Sequence, residues 1–335
     1  MLDSLGRPLR DLRISVTDRC NLRCGYCMPR EVYGSGFRFL PREELLSFEE
    51  IARVTRSLAG VGVRKVRITG GEPLLRRDLP ALVEMLAQVD QIDDLAMTTN
   101  GVLLAAKAIE LAEAGLDRVT VSLDALDPAT LRRMSDSPLS PERVLAGIDA
   151  AYAAGLGQIK VNMVVRRGFN DHCILEMAEH FRHTPHVLRF IEFMDVGATN
   201  GWRAAEVVTG MEILTALARR WPLEPMPAEI PGEVASRYRY RDGAGEIGVI
   251  HSVTEPFCGG CTRARLSADG KLYTCLFAGA GHDLRSLLRS GREEDLDRRL
   301  SEIWSARSDR YSAERERLSE AGGHAAKVEM SYIGG

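Results

Sequence analysis

Six short segments of the 335-residue chain alternate apolar with polar residues, and each is followed by a stretch of helical periodicity or a long loop leading to one. The strand-like segments cover residues 12–17, 63–69, 95–99, 118–124, 158–165 and 187–194. Helical patterns fall at 41–60, 79–89, 103–114, 129–134, 141–154 and 173–181. Alternation at this spacing predicts βαβ units and a parallel sheet. Six repeats without a dinucleotide-binding glycine fingerprint favour an α/β fold of the incomplete (βα)6 TIM-like barrel type over a doubly wound sheet. A barrel interior is normally filled with branched apolar side chains. Here one face of the segments carries Arg13, Lys65, Arg67, Thr98, Ser122, Asp124, Lys160 and Asn162. Burying unpaired charge is costly, so this face is expected to line an open, ligand-filled cavity. A half-exposed sheet face is the simpler alternative, and six strands sharing the habit weigh against it. The register leaves open whether Thr98 or Thr99 points inward.

Directly after the first segment comes Cys20-Asn21-Leu22-Arg23-Cys24-Gly25-Tyr26-Cys27, at the strand end where parallel barrels build their sites. Soft thiolates at short spacing select zinc, copper(I) or iron–sulfur clusters over hard cations. A closed zinc site would have to borrow a distant fourth ligand, whereas a [4Fe–4S] cluster held by three thiolates keeps one iron open. A second set, Cys258, Cys261 and Cys275, repeats the three-thiolate pattern with a wider gap. A ferredoxin-type relay normally shows four cysteines, and a zinc site could here be completed by His251 or His282. Between these cysteines, an extended Thr262-Arg263-Ala264-Arg265 would point both arginines the same way. Paired guanidinium forks suit phosphate oxygens. Cys173 has no partner pattern and reads as a core residue.

The pattern changes after about Gly210. A helix at 211–220 leads into a connector with Pro222, Pro227 and Pro231. Residues 238–241 and 246–251 form a hairpin around Asp242-Gly243-Ala244-Gly245. A charged helical segment over 284–321 reads as a solvated face, and Gly334-Gly335 ends the chain. A net charge of −3 gives no bulk attraction to nucleic acid. No apolar run reaches the length of about 18 residues needed to span a membrane, and the N-terminus has no apolar signal core. A cytoplasmic location with reduced thiols is expected. No P-loop motif is present.

The C-x3-C-x2-C spacing with an aromatic before the third cysteine resembles the radical S-adenosylmethionine (SAM) enzymes. With Thr69-Gly70-Gly71-Glu72-Pro73, the second cysteine set and the terminal Gly-Gly, the chain resembles the GTP 3′,8-cyclase family of molybdenum cofactor biosynthesis from about Leu5 to its end. The resemblance implies a lyase with a radical SAM partial barrel over 1–225. An α+β region over 226–335 would carry a second cluster and the tail. It assigns Cys20, Cys24 and Cys27 to one [4Fe–4S] cluster and Cys258, Cys261 and Cys275 to another. SAM would sit on the first open iron, contacted by Tyr26, Gly71, Ser122 and Met194, with Gly70 beside them. Guanine would sit on the second, with GTP held by Arg13, Arg67, Thr98, Lys160, Arg263, Ala264 and Arg265. Arg263, Arg265, Gly334 and Gly335 would be catalytic.

The implied reaction starts with one-electron cleavage of SAM to a 5′-deoxyadenosyl radical, which abstracts the ribose 3′ hydrogen of GTP. Attack of the carbon radical on C8, then an electron and a proton, complete (8S)-3′,8-cyclo-7,8-dihydroguanosine 5′-triphosphate. Implied partners are a reductant such as flavodoxin or ferredoxin and a downstream cyclic pyranopterin monophosphate synthase, with no nucleic acid or membrane. The protein would be a monomer or homodimer. Two other readings compete. A peptide-modifying radical SAM enzyme would give the Arg263/Arg265 pair no task. A zinc-stabilised binding protein would leave the polar interior face unexplained.

Overall fold

A computed structural model describes residues 1–229, 232–290, 293–320 and 327–335. The strands are β1 (Asp11–Ser15), β2 (Lys65–Thr69), β3 (Asp94–Thr99), β4 (Arg118–Ser122), β5 (Lys160–Val165), β6 (Val187–Glu192), β7 (Leu223–Met226), β8 (Ser236–Tyr240), β9 (Glu246–Ile250), β10 (Arg263–Leu266), β11 (Lys271–Tyr273) and β12 (His282–Asp283). Among the described residues they form one sheet in the order β12-β11-β10-β1-β2-β3-β4-β5-β6-β9-β8-β7. All six expected strands are present; β1 and β3 begin one residue earlier than expected, and all but β3 are shortened at one end. They run parallel and in sequence order. The outermost strands, β12 and β7, do not pair with each other, so the sheet curves without closing.

The C-terminal region does more than cap this sheet. β9 adds parallel to β6, and β10 adds parallel to β1. The expected hairpin exists as antiparallel β8 and β9, but its second strand continues the main sheet. Both halves of the chain therefore share one hydrogen-bonded surface. Its outer face holds Leu12, Ile14, Val66, Ile68, Met97, Val121, Val161, Met163 and Phe190, all fully buried. The helices α1 (Phe48–Gly60), α2 (Leu79–Ala87), α3 (Ala108–Glu113), α4 (Pro128–Ser135), α5 (Pro141–Ala153), α6 (Ile174–Phe181) and α7 (Gly210–Arg220) follow the first six strands. Apolar burial of this kind stabilises by about 25 cal/mol per Å² removed from water. Cys173 is buried in the turn before α6, as a core residue should be.

Two helical expectations need correction. The first helix begins at Phe48 and not near Pro41. Ser47 Oγ accepts from the Glu50 amide at 3.1 Å, while Glu50 accepts from the Ser47 amide at 2.8 Å. That capping box fixes the start, leaving Arg42–Glu44 as a separate 3-10 turn. The charged segment over 284–321 is three helices: α8 (Arg285–Ser290), α9 (Glu293–Ser305) and α10 (Tyr311–Glu320). It is not simply solvated, because Leu288, Leu296, Leu300, Ile303 and Trp304 are buried, with α9 packed on α1. Pro231 and Ala321 lie outside the described residues. A last helix, α11 (Met330–Ile333), precedes the terminal glycines. Among the described residues no helix is long and apolar enough to cross a membrane.

Trp304 joins the two ends of the chain, since its indole N–H donates to the Arg7 carbonyl at 3.2 Å. Trp304→Ala should cost about 3–5 kcal/mol and lower the denaturation midpoint, read by urea titration. A midpoint unchanged from wild type would show that α9 is not part of the stabilising core.

Candidate functional site

The face of the sheet turned away from the helices encloses a cavity of about 590 Å³. All eight residues of the polar alternate face line it: Arg13, Lys65, Arg67, Thr98, Ser122, Asp124, Lys160 and Asn162. The two cysteine sets lie at its opposite ends. The first follows the C-terminal end of β1. The second brackets β10 and β11, with Cys261 just ahead of the Arg263–Asp11 register that starts the β10–β1 pairing. The length of a five-residue strand, roughly 15 Å, separates the two ends.

At the first end the cysteine loop rests on the turn after β2. The Gly71 amide donates to Thr17 O and the Glu72 amide to Arg19 O, both at 2.8 Å. A Cβ on Gly70 would come within 2.6 Å of Thr17 O, and one on Gly71 would collide with Arg19 O. The room these glycines provide is thus taken by the cysteine loop itself. The buried Glu72 carboxylate accepts from Thr99 Oγ1 at 2.7 Å and from the Asn100 amide at 2.8 Å. Asn100 in turn reaches Asn21 at 2.8 Å. Tyr26 donates to Asp124 at 2.8 Å, tying the loop to the end of β4.

Cys20, Cys24 and Cys27 carry free thiols bordering the cavity. Burial pushes the Cys20 thiol up to about 11 and raises Cys24 and Cys27 as well. Such thiols surrender their protons only to a strongly cationic ligand such as a metal centre. At the second end, burial would raise Cys261 too. The Arg263 and Arg307 guanidinium groups outweigh it and bring the thiol down to about 6. Arg307 donates to Cys261 Sγ at 3.2 Å and to its carbonyl at 2.8 Å, while Arg7 holds the Cys258 carbonyl at 3.0 Å. His251 and His282 do not complete a zinc site. His251 is buried with Nδ1 3.8 Å from Glu192, and His282 is exposed on the edge strand β12. Each end is an all-sulfur donor set facing open volume, which fits an iron–sulfur cluster.

Between the two ends stand six cations: Arg13, Arg67, Lys160, Arg189, Arg263 and Arg265. At the N-terminal ends of β2, β3 and β4, Asp94 pairs with both Lys65 at 3.2 Å and Arg118 at 2.5 Å. Among the described residues the six form no ion pair. Arg67 and Arg189 rest on neutral partners, Arg67 donating to Thr98 and Thr120, each at 3.0 Å, and Arg189 to Asn162 at 3.0 Å, while Arg263 donates to Cys261 Sγ at 3.3 Å. Burial, and repulsion from neighbouring cations, depress five of them. Arg13 and Arg67 fall to about 9, Arg189 to about 10 and Lys160 to about 8. Arg265 is driven well below its usual range. A guanidinium does not give up its proton, so these shifts measure the need for an anion.

Two family models divide the chain: the radical SAM superfamily matches residues 14–181, and Molybdenum Cofactor Synthesis C matches 186–313. A GTP 3′,8-cyclase of Acidothermus cellulolyticus is 56% identical, covering 99% of this chain and 98% of that protein. The chain belongs to the GTP 3′,8-cyclase family. A cyclase of Xanthomonas campestris pv. campestris is 52% identical over 100% of this chain and 97% of its own length. A Staphylococcus aureus cyclase is 48% identical over 99% and 98%. In fold, the chain resembles Streptococcus suis SuiB bound to S-adenosylmethionine, with a TM-score of 0.61 at 15% identity over 88% of this chain and 68% of that one.

Against the cyclase-family assignments the cavity brings together Tyr26, Gly71, Ser122, Met194, Arg13, Arg67, Thr98, Lys160, Arg263, Arg265 and Gly335 with both cysteine sets. Ala264 stands apart, its side chain buried in the core opposite the cavity. Thr98 shares Arg67 and Thr99 is spent on Glu72, which settles the register left open above. Gly334 adopts φ +77° where a Cβ would collide with Thr69, and its carbonyl accepts from Arg265. Sequence reading missed Arg189, Asn100 and Arg307. Arg189 was visible as the cation flanked by apolar Leu188 and Phe190. Arg307, in the loop after α9, left no local signal.

Gly71→Ala should force the cysteine loop off the β2 turn and lose the first cluster alone. Reconstituted protein would then carry about four irons instead of about eight, counted by elemental analysis. A full complement of iron would show that the loop tolerates the added carbon.

Proposed function

We propose that the protein converts GTP to 3′,8-cyclo-7,8-dihydro-GTP, opening molybdenum cofactor biosynthesis, with GTP held between two [4Fe–4S] clusters. The observation that carries this reading is the block of six cations, none with a carboxylate partner among the described residues, between two thiol sets. A triphosphate supplies the missing negative charge, and each charge-assisted contact is worth roughly 1.5–3 kcal/mol. The functional division is 1–225 for the SAM-binding part and 226–335 for the part that adds the second cluster and the tail.

Cys20, Cys24 and Cys27 would hold the first cluster and Cys258, Cys261 and Cys275 the second. When bound, the clusters and SAM supply one-electron reduction and abstraction of the ribose 3′ hydrogen. The chain's own work is placement. Tyr26, Gly71, Ser122 and Met194 border the SAM end. Arg13, Arg67, Lys160, Arg189, Arg263 and Arg265 fix the triphosphate, so one sugar hydrogen faces the reacting end. Gly334 and Gly335 close the cavity beside Arg265 and exclude water that would quench radical chemistry. An exogenous carrier such as flavodoxin or ferredoxin would deliver electrons. The product would pass to a cyclic pyranopterin monophosphate synthase.

Arg67 and Lys160 test the reading cleanly, because neither touches a cysteine or the tail. Arg67→Ala or Lys160→Ala should weaken GTP binding roughly 10- to 100-fold with iron content intact, measured by anaerobic equilibrium dialysis. Wild-type affinity in both variants would remove the triphosphate from this part of the cavity.

A further inference from the structure

Residues 327–329 run between two loops that border the cavity, the one after β6 and the one carrying Cys275. Lys327 Nζ donates to Asp195 Oδ2 at 2.7 Å and to the Asp195 carbonyl at 2.8 Å. The Val328 amide donates to Ala278 O at 2.9 Å. The Glu329 carboxylate then reaches back across, accepting from the Ala198 amide at 2.9 Å and Thr199 Oγ1 at 3.0 Å. We propose that Asp195 and Glu329 form a reciprocal latch, one carboxylate from the body and one from the tail, that positions Gly334-Gly335 in the cavity. Both are positioning residues. The proposal rests on the reading that the terminal glycines serve the reaction.

Three further features support a built device. Gly197 has φ +66°, and a side chain there would collide with the Glu329 carboxylate, so the loop is shaped to seat it. Asp195 also accepts from Tyr311 at 2.6 Å and Arg315 at 2.9 Å, anchoring α10 at the same point. From Glu329 the chain is stiff: the Tyr332 and Ile333 amides donate to its carbonyl at 3.1 and 3.4 Å, and Ile333 is fully buried. The next residue, Gly334, meets Arg265. Asp195 immediately follows Met194, which lines the cavity. Holding the tail and shaping that end of the cavity therefore fall to one loop.

Removing Asp195 would strand the buried Arg315 and the partly buried Lys327 and endanger the fold. Lys327→Met is the better probe, since Asp195 keeps Arg315 and Tyr311 and the methionine keeps the apolar stem. Hydrogen–deuterium exchange of the reconstituted full-length protein, without GTP or SAM, reads the latch directly. The peptide covering 327–335 should exchange roughly tenfold faster or more in Lys327→Met and in Glu329→Ala, with the sheet peptides unchanged. Lys327→Arg should remain near wild type. In turnover assays the same two variants should yield less cyclised product per 5′-deoxyadenosine. Wild-type tail exchange in Lys327→Met and Glu329→Ala would overturn the latch, as would faster exchange with an unchanged product ratio. Glu329→Ala decides alone if Lys327→Met does not fold. Failure of wild-type protein to cyclise GTP would count against the proposed function and leave the exchange result standing.

Discussion

Six cations facing one another across a buried sheet surface, without a carboxylate to neutralise them, set the terms for the rest of this molecule. Arg13, Arg67, Lys160, Arg189, Arg263 and Arg265 would repel one another strongly in a closed apolar core. The chain tolerates them by leaving the volume in front of them open and by giving none of them a carboxylate partner among the described residues. Arg67 rests on two threonine hydroxyls and Arg189 on Asn162. Carboxylates in their place would neutralise the charge and remove the attraction for a polyanion. Stability is thus given up where binding needs it, and is recovered on the outer face, where the alternate residues of the same strands pack against helices.

An open cavity needs walls, and the C-terminal region supplies two of them. β9 and β10 extend the parallel sheet on both sides, and β10 contributes Arg263 and Arg265 beside Arg13. The continuity matters for chemistry: it holds the second cysteine set at a fixed strand's length from the first. Arg7 and Arg307, which share Asp3, brace the turn between Cys258 and Cys261 from opposite ends of the chain. The positions of the two thiol sets are therefore set by the sheet rather than by flexible loops.

Much of this was legible in the residues, and the limits have physical causes. Period-two alternation reports which side chains share a face, so the six strands and their polar lining could be read directly. It cannot report which distant strand becomes a neighbour, so the parallel docking of β9 and β10 was invisible. The 41–60 helix was placed too early because acidic residues and Pro41 mimic a helix start, while the Ser47/Glu50 capping box decides it. The 284–321 segment looked solvated because its charges outnumber its apolar residues, yet Leu296, Leu300 and Trp304 are spaced to bury one side. The cysteine sets and the Gly-Gly tail carried the family signal. Asp195, Glu329 and Arg307 act through contacts between remote segments, which no local pattern announces.

The most direct test of the account is anaerobic turnover of reconstituted protein with SAM, dithionite and GTP deuterated at the ribose 3′ position. Iron is counted per chain and 5′-deoxyadenosine is weighed by mass spectrometry. About eight irons per chain with deuterium carried into 5′-deoxyadenosine is the predicted result, placing GTP between two clusters with its 3′ hydrogen at the SAM end. Eight irons with unlabelled 5′-deoxyadenosine would contradict the placement of GTP, and zinc in place of iron would contradict both thiol sites.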